Sequence, residues 1–237
     1  MAMAVSEVAE LATTTDVTTT VALGTFTPSA SSILVAYCRF AGSDLSTVGT
    51  LSDSEGAWTE IRHEFGDTNK AWYLFYRKVD ATPVSITPTF DNGGDTLSNA
   101  EALIYQFVPD VVVAGNPIRQ TVYSAWASST NPSIVFASAL QTANGYIMVS
   151  ANGVNPYAMD SPPSSWTQTC DTGITEGNSG LWGAFRAGGE TGTTITATNA
   201  TSTFWQAYGV EVYNDEPPVD TYSGRGIGRG ISRGVMR

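Results

Sequence analysis

Apolar residues along this chain alternate with polar ones over short runs, and clusters of Gly, Asn, Asp, Pro or Ser separate the runs. The stretches VSITPTF (Val84–Phe90) and TTITATN (Thr193–Asn199) show the pattern most plainly. A period of two turns successive side chains to opposite faces, so Ile86 and Ile195 share a buried face while Thr87 and Thr196 lie on the other. Segments of this kind, rich in Val, Ile, Thr and aromatics, predict the strands of antiparallel sheets.

The pattern occurs twice. VALGTFTPSASSILVAY (Val21–Tyr37) overlays IVFASALQTANGYIMVS (Ile134–Ser150) without gaps, 113 residues later, and both read as strand, loop, strand. WTEI at Trp58 returns as WTQT at Trp166, and LFYRK from Leu74 returns as LWGAFRA from Leu181. VSITPTF returns as TTITATN, and EALIYQFVPD from Glu101 returns as QAYGVEVYND from Gln206. The expected fold is therefore all-β: an antiparallel, jelly-roll-like β-sandwich built from two repeated halves, about 17–111 and 128–216. Two arrangements satisfy the repeat, a pair of small sandwiches or one sandwich in which the halves interleave. The second is favoured because VVVAGNPIRQTVYSAWAS, between the halves, is strand-like and no flexible linker. Trp72, Phe75, Trp182 and Trp205 are expected between sheets. Residues 1–16 form an N-terminal arm or a short helix, with Val5, Val8 and Leu11 on one face, and 217–237 a proline-led linker and C-terminal arm.

The doubled Trp-Thr, the aromatic strand ending in Arg or Lys, the Thr-Ile-Thr strand and the closing Pro-Asp or Asn-Asp together resemble jelly-roll proteins of tailed bacteriophage virions and related bacterial surface modules. The resemblance covers roughly residues 15–216. It implies a non-enzymatic structural or adhesive role, most simply a capsid decoration or cement subunit of a virion assembled in the host cytoplasm. Partners would be the major capsid protein or neighbouring copies of the chain, in a homo-oligomer, with no cofactor. The alternative it leaves open is a carbohydrate- or receptor-binding module of a phage tail, fibre or cell surface.

Charge divides the chain unevenly. Residues 221–237 hold four arginines and no acid, leaving seven basic against 22 acidic groups, a net −15, in residues 1–220. A body of that sign repels nucleic acid and anionic membrane, so neither is an expected partner. The N-terminus carries acids where a signal peptide needs basic residues, and no run approaches the ~20 apolar residues of a membrane helix. Cys38 and Cys170 make neither a metal pattern nor a disulfide framework.

Few residues carry chemistry. The single histidine, His63, would have to support a triad or zinc site alone, and reads better as an exposed strand residue. GNPIRQ and AGGETG lack phosphate-loop spacing. The acids Asp53, Glu55, Glu60, Glu64 and Asp67 read as a solvated rim. The loop Asp91–Asp95, DNGGD, offers oxygens to a hard cation, but Asn-Gly is first a hairpin-turn signal and no metal site is expected. Tyr157, in a long turn-rich loop, is the candidate for stacking on a sugar, whereas Trp166 matches Trp58 and reads as core.

In the arm, GRGIGRGISRGVMR, extended backbone would place Arg225, Ile227, Arg229, Ile231, Arg233, Val235 and Arg237 on one face and almost bare glycine on the other. Such a ribbon has too little to bury to order itself. Docked on an acidic neighbour as an added strand, it would use those seven residues as its partner-binding face.

Overall fold

The computed structural model describes residues 3–13, 20–42, 45, 47–67, 70–95, 97–152, 161–174, 179–198 and 203–215, and among them it is all strand and loop, with no helix. Nine strands come from the first half: β1 (Ala4–Thr13), β2 (Thr20–Ala22), β3 (Ile33–Gly42), β4 (Thr50–Asp53), β5 (Gly56–Ala57), β6 (Thr59–Asp67), β7 (Lys70–Lys78), β8 (Thr89–Asp91) and β9 (Leu97–Val108). Seven come from the second: β10 (Ile118–Ser129), β11 (Ser133–Val135), β12 (Gly145–Asn152), β13 (Thr167–Ile174), β14 (Ser179–Ala187), β15 (Thr194–Thr196) and β16 (Thr203–Val212).

The repeat seen in the sequence is a repeat of topology. One antiparallel five-stranded sheet has the order β1-β9-β3-β7-β6 and the other β10-β16-β12-β14-β13, the same order element for element. A small sheet accompanies each, β2-β8-β4-β5 in the first half and β11-β15 in the second. The chain thus forms the expected antiparallel sandwich from two repeated halves. The halves do not interleave, however: within the described residues each sheet draws every strand from one half. Each half is a small sandwich of a large and a small sheet.

Four layers and three cores result. Leu34, Ala36, Cys38 and Phe40 of β3 face outward onto the small sheet, where Phe40 and Phe90 stack with ring centroids 4.0 Å apart. Ile33, Val35 and Tyr37 face inward and meet Ile147, Val149, Tyr208 and Val210 of the other large sheet. Beyond it Tyr146, Met148, Trp182 and Ala207 pack under β11 and β15, with Ile195. The large sheets therefore lie back to back, each covered on both faces, and Ile86 and Ile195 are buried as the alternation requires while Thr87 and Thr196 are exposed. Close approach at the inner core needs two glycines. A Cβ on Gly145 would lie 2.6 Å from Met3 Sδ, and one on Gly183 2.7 Å from Leu103 Cδ1.

Three expectations are corrected. The N-terminal segment is neither arm nor helix: Ala4–Thr13 is an edge strand paired with β9. Its apparent helical spacing comes from a bulge, since Glu7 faces Tyr105 and Ala9 faces Ile104, which leaves Val8 extra and breaks the two-residue alternation. The strand-like segment between the halves is the second half's first strand, β10, standing where β1 stands in the first, so that half begins at Ile118. The gapless overlay also slips by one residue at β3 and β12. It equates Leu34 with Ile147, yet Leu34 faces the outer core and Ile147 the inner one.

All four edge strands of the large sheets carry bulges. Besides Val8 in β1, the extra residues are Ile61 and Gly66 in β6, Arg119 and a second residue between Ser124 and Ala127 in β10, and Thr169 in β13. Edges broken in this way are poor templates for a further strand.

Candidate functional site

The paired tryptophans are clamps. Trp58 Nε1 donates to Asp53 Oδ2 at 2.8 Å, while Asp53 Oδ1 accepts from Arg77 Nη1 and from the Glu55 amide at 2.8 Å. In the second half Trp166 Nε1 donates to Glu190 Oε1 at 2.8 Å, and the same oxygen accepts from Arg186 Nη1. Tryptophan and arginine occupy matching places in both halves, but the carboxylate arrives from opposite directions along the chain, before the tryptophan in one and after it in the other. Both indoles are core residues, as expected for Trp166.

A second device holds the loops leading into β3 and β12. Gln106 of β9 accepts from the Ser29 amide at 2.6 Å and donates to Ser29 Oγ. At the matching place in β16 stands Glu211, whose fully buried carboxylate accepts from the Gln141 amide and Asn144 Nδ2, both at 2.8 Å, from Gln120, and from Arg119. The bulge in β10 is what aims Arg119 at it.

The inner core becomes polar at one end. Arg39 and Glu101, opposite one another in β3 and β9, form a buried pair at 2.7 Å. Tyr37, Tyr208 and Tyr123 lie beside them with successive ring centroids 5.5 and 4.9 Å apart, and Arg62 stacks 5.3 Å over Tyr123. Burial pushes the hydroxyls of Tyr37, Tyr105 and Tyr208 well above the usual tyrosine range, so they stay protonated; Tyr105 hydrogen-bonds Thr169, while Tyr37 and Tyr208 serve as packing groups.

The sequence-predicted chemical residues are dispersed. His63 Nδ1 is 2.7 Å from Glu60 Oε1 on the partly exposed face of β6, and Glu64 binds Arg62. Asp53 is consumed by its clamp and Glu55 is exposed beside it; the side chain of Asp67 is not described. In the Asp91–Asp95 loop the oxygens serve the turn: Asp91 Oδ1 accepts from Gly93 N at 2.9 Å and Asp95 Oδ2 from Thr47 N at 3.3 Å, with Gly93 and Gly94 at φ 69° and 122°. No group of three metal-ligating side chains occurs among the described residues. Tyr157 and the arm residues Arg225, Ile227, Arg229, Ile231, Arg233, Val235 and Arg237 lie outside the described residues.

Among the described residues a concavity large enough for a ligand is present, and sequence reasoning missed it because its walls come from both halves. It is an open groove of about 310 Å³ beside the seam between edge strands β6 and β10. Ile61 and Tyr76 stand on one wall, Asn116, Arg119 and Gln120 on the other. A hollow near Arg77 and Val84 holds only about 10 Å³. The wall segment between halves is firmly held: Lys78 Nζ donates to Ala114 O at 2.7 Å, Asn214 bridges the amide and carboxylate of Asp110, and Tyr213 N donates to Pro117 O at 2.9 Å. Comparisons with protein-family models, with curated proteins and with solved structures find no match for the chain.

Proposed function

We propose that this chain is a non-enzymatic structural protein of a bacteriophage particle, a capsid decoration or cement subunit whose double sandwich sits on the shell and whose basic arm ties it to a neighbour. The observation that carries the reading is how the polar groups are spent. Within the described residues, Asp53, Glu190, Glu211 and Glu101 hold loops and strands in place, while both faces of each large sheet are covered from within. Attachment then falls to surfaces and to the arm, whose four arginines complement a body of net −15. Because the edges of the large sheets are bulged, the arm engages its neighbour through arginine–carboxylate pairs more than by extending a sheet.

The test is deletion of residues 221–237, followed by assembly with particles lacking the native subunit. The truncated protein should keep its circular dichroism spectrum and thermal transition but fail to enter particles, and salt should release the full-length protein progressively. Incorporation of the truncated chain at wild-type copy number would overturn the proposal.

A further inference from the structure

We propose that the groove between β6 and β10 is a binding site for a neutral saccharide, a site that does not rest on the structural role above. It exists because two pseudo-equivalent seams differ. Where β1 meets β13, Cys170 Sγ lies 3.4 Å from Glu10 Oε1, and beside it the Tyr105 hydroxyl of β9 lies 2.9 Å from Thr169 Oγ1, so the layers close. Where β6 meets β10, Arg62 over Tyr123 bridges the seam, and beside it the space of about 310 Å³ opens. The volume lies at the lower end of the range for small-molecule pockets.

The position of the bulges adds to this. Ile61 and Arg119, each the extra residue of its strand, line facing walls; the Arg119 guanidinium is turned to Glu211, so Ile61 is the bulged side chain left to the groove. The wall that carries Asn116 is fixed by the Lys78 and Asn214 hydrogen bonds, so the groove is formed before any ligand arrives.

Lining chemistry selects the ligand class. The arginine of the lining, Arg119, is bonded to Glu211 and to Ala139 O at 3.0 Å, and its carboxylate, Glu60, to His63. With Arg119 neutralised by Glu211, the groove offers no free cation to a phosphate. A strand-like peptide finds interrupted edges on both sides. What remains is a half-buried phenol ring, Tyr76, flanked by Thr59 and Asn116, whereas the Gln120 amide is held by Glu211 and Ser138. A ring face with hydroxyl and amide groups around it matches a pyranose, which is apolar on its faces and hydrogen-bonding around its rim.

The experiment is a heteronuclear NMR titration of the full chain with glucose, galactose, N-acetylglucosamine, lactose and cellobiose. At least one should give saturable shifts centred on residues 59–61 and 116–121, with Tyr76→Ala and the exposed Asn116→Ala each weakening binding ten-fold or more. Asn116→Ala keeps the test valid if Tyr76→Ala perturbs the fold. Shifts absent with all five sugars, centred instead on the Tyr157 loop, or unchanged in affinity by Asn116→Ala would overturn the assignment.

Discussion

Glu211 shows what a single side chain is asked to do in this molecule. Its carboxylate gathers an amide of the 141 loop, the amide groups of Asn144 and Gln120, and the Arg119 guanidinium, at a place where no water reaches it. Glu211→Ala leaves those donors facing a void and should cost about 3 kcal/mol or more, measured by urea denaturation, with Glu211→Gln intermediate. Glu7 is the opposite case. Half-buried in β1 and close to Glu10, its carboxyl is held above the usual range by burial first and by that neighbour's charge, against a lowering hydrogen bond from Thr169. A carboxyl raised on folding contributes stability at pH below its unfolded value, and that contribution is lost as pH rises through the folded value. Glu7→Gln should therefore be near neutral in Tm at pH 4 and stabilising at pH 7 to 8; an equal effect at both would contradict this. Neither role was legible in the sequence, because a Glu in an alternating run reads as a solvent-facing position until its register and neighbours are known.

The strand pairs and their clamps were half legible. The recurrence of Trp58 as Trp166 and of Arg77 as Arg186 is plain in the sequence, and both pairs do the same work. Their carboxylates escaped notice because Asp53 precedes one tryptophan while Glu190 follows the other, so alignment cannot equate them. Asp53→Asn and Glu190→Gln should each destabilise by roughly 1 to 3 kcal/mol, and the double variant should show the sum, since the two clamps sit in different halves and share no partner. A coupling above about 0.5 kcal/mol would mean the outer cores communicate. The one-residue slip in the overlay has a physical origin too. Strands β3 and β12 are buried on both faces, so apolar residues stand at successive positions, and a run without alternation carries no mark of its face. Ile195 in β15 and Ile86, which makes an isolated bridge to Phe26 ahead of β8, kept the alternation read from the sequence.

At the scale of the molecule, the inner core joins two units that share no sheet. A half standing alone would expose Tyr37, Trp72, Leu74, Tyr105 and Phe107, so residues 1–111 expressed by themselves should aggregate or fail to fold. Cutting the whole protein is a different matter. Val111 and Val112 are 48% and 63% exposed on the crossing segment, whose flanks Lys78 and Asn214 hold in place. A protease site inserted between them should yield two fragments that still elute together from gel filtration and unfold in a single transition; separation under native conditions would show that the inner core cannot hold the halves. The repeat was visible in the chain, but not that each half would keep its strands to itself, because local pattern specifies a strand and not its partner.

The bulged margins have one more consequence. Copies crowded side by side in concentrated solution meet rim to rim, where unbroken ribbons would fuse into fibres. Here such rims grip poorly, so the protein should stay monodisperse at concentrations where smooth-edged sheets gel.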